Sequence, residues 1–222
     1  MKKFKLENFK SDVIFTPKPA LYNAPDESKL ALPVTLDLRD LVLQTEDQGT
    51  TPQCAAYTGT SWLESIEWRR TGKPVNYNPQ ELYSMAKTLD GYPDVDGTTL
   101  PAILQGMIRL GWTNKTDDDI RMFYTIPELK RAVHRYGTVI IACEIHQQWG
   151  LQVGSNMTKV IGDAMGGHAI TCCGYDKKGV FIQNSWGYLW GNLGYCKIAW
   201  DVFEQEFAEG GYYVNALNNL EE

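Results

Sequence analysis

The sequence predicts an α+β fold built as two lobes. Helical patterns fill the first half of the chain, whereas short β-rich runs separated by Gly, Asn and Asp fill the part that follows Gly137. Helices and strands segregated in this way favour an α+β architecture over alternating β–α units. The division between the two halves is expected near residues 112–124, where residues 114–119 are polar. We therefore expect a helical lobe over about residues 32–115 and a β lobe over about residues 116–222.

Composition limits the classes of function. The 222 residues are 43% hydrophobic and 22% charged, which is enough to bury one large core. A net charge of −6 without a basic stripe disfavours nucleic-acid binding. The apolar runs are too short to span a membrane, and residues 6–12 break any signal-peptide core. We therefore expect a cytoplasmic protein with no nucleic-acid or membrane partner.

The predicted elements follow in chain order. Residues 1–31 carry three of the ten prolines and little periodicity, which predicts an extended arm. Helix caps and apolar spacing then predict four helices, over about residues 54–71, 78–87, 99–110 and 125–136. Strands are predicted over residues 138–145, 168–174, 179–184, 194–200 and 212–216.

The cysteines do not form a recognisable metal or redox pattern. They are five in number, at positions 54, 143, 172, 173 and 196, and no two form a C-x-x-C pair. No H-E-x-x-H pattern is present, and the acidic residues 90–97 lack EF-hand spacing. The adjacent Cys172 and Cys173 lie in an apolar run and are expected to be buried free thiols. We expect no metal and no cofactor.

Cys54 is the candidate nucleophile because it lies where a loop runs into a predicted helix. The positive end of the helix dipole and the unpaired backbone N–H groups there stabilise a thiolate. His168 enters a predicted strand after two glycines, and an imidazole next to Cys54 would take the thiol proton near neutral pH. The other two histidines, His134 and His146, are interpreted as ordinary structural or surface residues.

Two amides complete the candidate site. Asn184 lies 16 residues after His168 at the end of a predicted strand, where its side chain would accept from the imidazole and orient it. Trp186 would shield that hydrogen bond from water. Gln48 precedes Cys54 by six residues and would donate to an oxyanion together with the Cys54 backbone N–H.

A resemblance to a known protein family supports the same candidate residues. The chain resembles the papain-family cysteine peptidases from residue 32 to about residue 216, and the order and spacing of the matching stretches are specific. The Asn-Ser-Trp-Gly and Trp-Gly-Asn-Leu-Gly-Tyr stretches carry the strongest match. Besides Cys54 at the head of a helix, the matching stretches are residues 36–39, 47–49, 78–82, 167–170, 174–175, 184–187 and 190–195.

The resemblance implies a papain-like fold, with a helical N-terminal lobe, a β-barrel-like C-terminal lobe and an active cleft between them. It makes Cys54 the nucleophile, His168 its general acid and base, Asn184 the orienting residue and Gln48 an oxyanion donor. Gly97 and Thr98 would then pair with an extended substrate backbone. The apolar substrate pocket next to them would be lined by Leu100, Ala142 and Ala169.

The chain departs from the family pattern around the nucleophile. Thr51 replaces the family's upstream cysteine, so the usual disulfide there cannot form. Pro52 and Ala55 replace the usual glycine and aromatic residue, which puts the first substrate pocket in doubt. Cys54 and His168 are 114 residues apart, which is fewer than in secreted members and indicates a compact, disulfide-free, prokaryotic or viral type.

The function predicted from these residues is a cysteine endopeptidase that hydrolyses peptide bonds in peptide or protein substrates through a thioester acyl-enzyme. An acyl transferase or amidase using the same dyad is the alternative, because its nucleophile and oxyanion hole would be the same. An inactive papain-fold binding module is a third reading. Residues 1–31 are either a passive arm or a segment that occludes the cleft.

Overall fold

The computed structural model describes residues 13–14, 31–42, 44–151, 156–207 and 210–214. Within these ranges the α-helices are α1 (Cys54–Thr71), α2 (Pro79–Lys87), α3 (Leu100–Arg109), α4 (Ile126–Tyr136), α5 (Gln148–Leu151) and α6 (Trp200–Glu206). The strands are β1 (Leu36–Asp37), β2 (Ile120–Phe123), β3 (Val139–His146), β4 (Asn156–Met157), β5 (Ala164–Tyr175), β6 (Gly179–Gln183), β7 (Tyr195–Ala199) and β8 (Gly210–Val214).

The predicted helices α1 to α4 form with the expected ends. The side chain of Asn78 accepts hydrogen bonds at the start of α2, and Thr125 and Glu128 form a reciprocal capping box at the start of α4. Gly72 ends α1 in the left-handed conformation, with a φ of 64° that glycine adopts without steric cost. Local sequence signals therefore mark the starts of α2 and α4 and the end of α1.

The strands join into one sheet in the order β2-β8-β3-β5-β6-β7-β4, with β1 paired to β5. β3, β5, β6 and β7 are antiparallel neighbours, whereas β4 pairs parallel to β7. The predicted strand at residues 194–200 is one residue too long at each end, because β7 begins at Tyr195 and Trp200 already begins α6. The last predicted strand corresponds to β8, and residues 215 and 216 lie outside the described part of the chain.

Two hydrophobic cores lie on either side of the molecule's central strands. One is built by α1 and α3 and takes in Ile140, Ala142 and Ala169 from the sheet. The other lies between α4, α6 and the opposite sides of the same strands, where Ile141, Cys143 and Ile170 point. Alternating residues of β3 and β5 therefore contribute to both cores, as expected for strands covered on both faces. In the described ranges no helix is long and apolar enough to cross a membrane.

Candidate active site

Cys54 is the first residue of α1 and is fully buried. Its sulfur accepts a hydrogen bond from the backbone N–H of Ala169 at 3.4 Å. This contact joins the amino end of α1 to β5, immediately after His168. The helix start and the histidine strand, which are more than 100 residues apart in sequence, therefore meet at the thiol.

The His168 imidazole is held by Asn184. Its Nε2 lies 2.8 Å from the Asn184 Oδ1, and the same oxygen accepts from the backbone N–H of Ser185 at 2.8 Å. Two donors on one oxygen fix the orientation of the Asn184 amide and require Nε2 to carry the proton. The neutral imidazole then has its free lone pair on Nδ1, the state that a general base needs.

Burial sets the charge of the imidazole. His168 is 2% exposed, and loss of hydration lowers its pKa to about 4, although the hydrogen bond that it donates to Asn184 opposes that shift. The ring of Trp186 lies 4.7 Å from the imidazole, measured between ring centres, and Trp149 meets it edge-on at 6.0 Å. In this buried position His168 is therefore neutral at pH 7.

Gln48 is placed by the same serine that fixes Asn184. Its backbone N–H donates to the Ser185 carbonyl at 2.8 Å, and its Oε1 accepts from the Ser185 hydroxyl at 2.6 Å. Since the amide oxygen is taken by Ser185, the amide nitrogen points to the other side, where it donates to the Thr51 carbonyl at 3.0 Å. The Gln48 Nε2 thus faces the loop that leads into Cys54.

A short extended segment lies across the cleft wall at Thr98. Val13 forms a parallel bridge to Thr98, and the Ile14 N–H donates to the Thr98 carbonyl at 3.1 Å. On the other side the Val13 N–H donates to the Gly167 carbonyl at 3.3 Å. Gly167 immediately precedes His168, so residues 13 and 14 connect the helical side of the cleft to the histidine strand.

Val13 is buried in the core cluster that contains the residues predicted to line the apolar pocket. Val13 is 5% exposed and belongs to the same core cluster as Leu100, Ala142, Ala169 and Cys54, the predicted nucleophile. Among the residues predicted to bind substrate, Thr98 pairs through its backbone with Val13 and Ile14. Gly97 immediately precedes Thr98. It has a φ of 85°, and its N–H donates to the Tyr83 hydroxyl.

The four remaining cysteines are unsuited to nucleophilic catalysis. All five thiols are free, and Cys143, Cys172, Cys173 and Cys196 are buried. Burial raises the pKa of Cys172 and Cys196 to about 12 and raises those of Cys143 and Cys173 well above the usual value. Among the described residues no three His, Cys, Asp or Glu side chains converge to hold a metal ion.

Sequence reasoning did not assign a role to Ser185 or Trp149. Ser185 lies inside the Asn-Ser-Trp motif, but its contact with Gln48 spans 137 residues and only the fold reveals it. The fully buried carboxylate of Glu206 accepts a hydrogen bond from the Trp149 indole N–H at 3.0 Å. The Trp149 ring also stacks on that of Trp190, with 5.8 Å between the ring centres. The apolar composition of the chain alone gives no signal for this arrangement.

Comparison with known proteins places this geometry in context. Residues 109–214 match the model of the papain family of cysteine proteases. Germination-specific cysteine protease 1 of Arabidopsis thaliana is 26% identical over 83% of this chain, and cathepsin K of Gallus gallus is 29% identical over 82%. The chain spans 57% and 63% of the lengths of these two curated relatives.

The solved structures agree on the fold. Procathepsin B S9 from Trypanosoma congolense superimposes with a TM-score of 0.75 at 14% identity, covering 94% of this chain and 87% of that one. The predicted two-lobed papain-like α+β fold is thereby confirmed. Over residues 109–214 the chain is thus similar in sequence to the papain family of cysteine proteases, and it has the papain-like fold.

Proposed function

We propose that this chain is a cysteine endopeptidase in which Cys54 is the nucleophile and His168 the general acid and base. The observation that carries the proposal is the contact of the Cys54 sulfur with the amide of Ala169, beside a histidine whose Nε2 is already committed to Asn184. That contact keeps the thiol next to the strand that carries the base. The sequence match and the curated relatives support a proteolytic reaction.

The reaction follows from this arrangement. The His168 Nδ1 takes the thiol proton, and the Cys54 sulfur attacks the peptide carbonyl carbon. The oxyanion accepts from the Cys54 backbone N–H and the Gln48 Nε2. Imidazolium returns its proton to the leaving amine, which departs and leaves a thioester. A water molecule deprotonated by His168 then attacks the thioester, releasing the acid and restoring the thiol.

A peptide-library digest tests the reaction type. Wild type and Cys54→Ala are incubated with the library, and the products are identified by mass spectrometry, with and without an added primary amine. New carboxyl termini that need Cys54 support the endopeptidase. Amine-capped products in place of free acids would identify an acyl transferase. No product from either protein, nor from a chain beginning at Leu32, would identify a binding module.

We further propose that residues 13 and 14 occlude the cleft within the same chain. Their backbone bonds to Thr98 and Gly167 use both sides of the cleft, and Val13 is buried in the core cluster that also contains Cys54 and the predicted pocket residues. Extended backbone pairing with a side chain in a pocket is a common mode of peptide recognition. The complete burial of Cys54 supports occlusion, because a buried thiol cannot meet a substrate carbonyl.

A further inference from the structure

The cleft wall at Thr98 is the end of a loop that packing does not fix. Residues 91–96, in the connection between α2 and α3, are all exposed and belong to neither helix nor strand. The two large apolar side chains of this loop, Tyr92 and Val95, are 39% and 51% exposed. Another interaction must therefore hold the wall in place.

The ammonium group of Lys87 provides that interaction. Lys87 ends α2, and its Nζ donates to the carbonyl oxygens of Tyr92 at 2.5 Å, Val95 at 2.9 Å and Gly97 at 3.1 Å. It also forms an ion pair with the Asp90 carboxylate at 2.8 Å. A single ammonium group therefore binds three backbone carbonyl groups of this connection. The Lys87 side chain is only 16% exposed. Charge-assisted hydrogen bonds of this kind are about twice as strong as neutral ones.

Asp90 extends the same network to Thr98. Its side chain is fully buried, and its Oδ2 accepts both from Lys87 and from the Thr98 hydroxyl at 2.9 Å. Its Oδ1 accepts from the Tyr92 N–H at 2.8 Å. We call Lys87 and Asp90 the clamp. The clamp holds the Thr98 side chain while the Thr98 carbonyl accepts from the Ile14 N–H.

We propose that Lys87 is a positioning residue that holds Gly97 and Thr98 in the conformation that binds an extended peptide backbone. In this chain, whose five cysteines are all free, the clamp provides a non-covalent tie for a loop that no disulfide restrains. The part of this inference that concerns substrate rests on the proposed endopeptidase function. The part that concerns residues 13 and 14 does not.

The first test separates positioning from general stability. The double variant Lys87→Met/Asp90→Asn removes both charges, so no buried carboxylate is left without its cation. Thr98→Val removes only the hydroxyl. Each is assayed for kcat/KM with a substrate of four residues on the acyl side and with one of a single residue. Arg109→Met, which breaks the exposed ion pair with Asp117 at the end of α3, is the matched control.

We expect the ratio of kcat/KM for the long substrate over the short one to fall about tenfold in the double variant and about threefold in Thr98→Val. The control should leave the ratio unchanged. Occlusion of the cleft lowers both values by the same factor and therefore cancels in the ratio, as does a loss of folded protein. An unchanged ratio in the double variant would overturn the inference.

The second test does not depend on catalysis. Hydrogen exchange followed by mass spectrometry measures the peptide that contains Ile14, whose N–H is bonded to Thr98. In full-length Lys87→Met/Asp90→Asn this peptide should exchange about tenfold faster than in wild type and in Arg109→Met. Equal exchange would refute the clamp even if the wild type cleaves peptides. Faster exchange in a chain that cleaves nothing would support the clamp and reject the endopeptidase.

Discussion

Ser185 is the residue that orients both amide side chains of the proposed site, Asn184 and Gln48. Its N–H fixes the Asn184 oxygen toward His168, and its hydroxyl fixes the Gln48 oxygen away from Cys54. An amide side chain has two ends of nearly equal shape, so a neighbour that accepts or donates at one end decides what the other end offers. One serine therefore sets which end of the Asn184 amide faces the imidazole and which end of the Gln48 amide faces the loop before Cys54.

Removing the oxyanion donor should slow turnover without inactivating the thiol. We expect Gln48→Ala to lower kcat by about 10²–10³, the usual loss for one such donor. Ser185→Ala should cost less, about tenfold, because the Gln48 amide remains but is free to rotate. Steady-state kinetics measure both. Iodoacetamide should still alkylate Cys54 in both variants, and wild-type turnover in Gln48→Ala would exclude Gln48 from the mechanism.

The low pKa of His168 should appear in the pH dependence of stability. Burial lowers the pKa of His168 to about 4 in the folded protein, whereas the pKa of a histidine in an unfolded chain is about 6.5. Between these values the unfolded state binds the extra proton. The contribution of His168 is therefore fully present above pH 6.5 and is lost as the pH falls to about 4. The loss is on the order of 3 kcal/mol.

Denaturant unfolding of wild type and His168→Gln between pH 4 and pH 7.5 measures this contribution. The free energy of unfolding of the wild type should decrease relative to that of the variant as the pH is lowered. The comparison isolates His168, because the other titrating groups are common to both proteins. Two parallel curves would contradict a neutral, buried imidazole.

At the level of single elements, α1 carries a buried carboxyl with the opposite pH behaviour. Glu64 is 6% exposed, and burial raises its pKa to about 7, although its hydrogen bond from the Tyr77 N–H opposes the shift. The folded state keeps this proton to a higher pH than the unfolded state. Glu64 therefore destabilises the fold progressively as the pH rises from about 4.5 to 7, and fully above that.

Glu64→Gln should remove this penalty while keeping an oxygen for the Tyr77 N–H. We expect the melting temperature to rise by a few degrees at pH 8 and to change little at pH 5. Glu81→Gln, an exposed position on α2, is the matched control and should show no such difference. Thermal unfolding followed by circular dichroism at the two pH values decides the question, and an equal shift at both would mean that Glu64 is ionised throughout.

The elements also show which parts of the fold the sequence could predict. Helices α2 and α4 were predictable because Asn78 and Thr125 place their capping signals within four residues of the start. Helix α6 was missed because it follows β7 directly and Ala199 gives it no side-chain cap. The two-residue β1 exists only through its pairing with β5, across more than 130 residues.

The candidate site divides in the same way. Cys54, His168, Asn184 and Gln48 could be named from local motifs and spacing, since each lies at the end of a predictable element or in a recognisable stretch. The supporting contacts could not, because the bond from Ser185 to Gln48 spans 137 residues. The Lys87 clamp is a local contact, but the loop that it organises has no periodicity to reveal it. The boundary between the lobes near residue 115 stays a prediction.

For the whole molecule, the central question is whether residues 13 and 14 restrain the cleft. They connect Thr98 on the helical side to Gly167 on the β side, and both Val13 and Cys54, the proposed nucleophile, are buried. A segment that uses the same backbone partners as a substrate competes with it. Competition raises the apparent KM and leaves kcat unchanged, because a saturating substrate displaces the segment.

Two changes should therefore release the enzyme. In a chain beginning at Leu32, and in full-length Ile14→Pro, we expect the apparent KM to fall by about tenfold at constant kcat. Proline lacks the N–H that donates to Thr98 and tolerates an extended backbone, so the substitution removes one bond with little strain. Iodoacetamide should also alkylate Cys54 faster in both proteins, because the thiol becomes accessible. Ile14→Ala keeps the N–H and should retain most of the restraint. If all four proteins, wild type included, share one KM and one alkylation rate while their circular dichroism spectra agree, residues 13 and 14 do not guard the cleft.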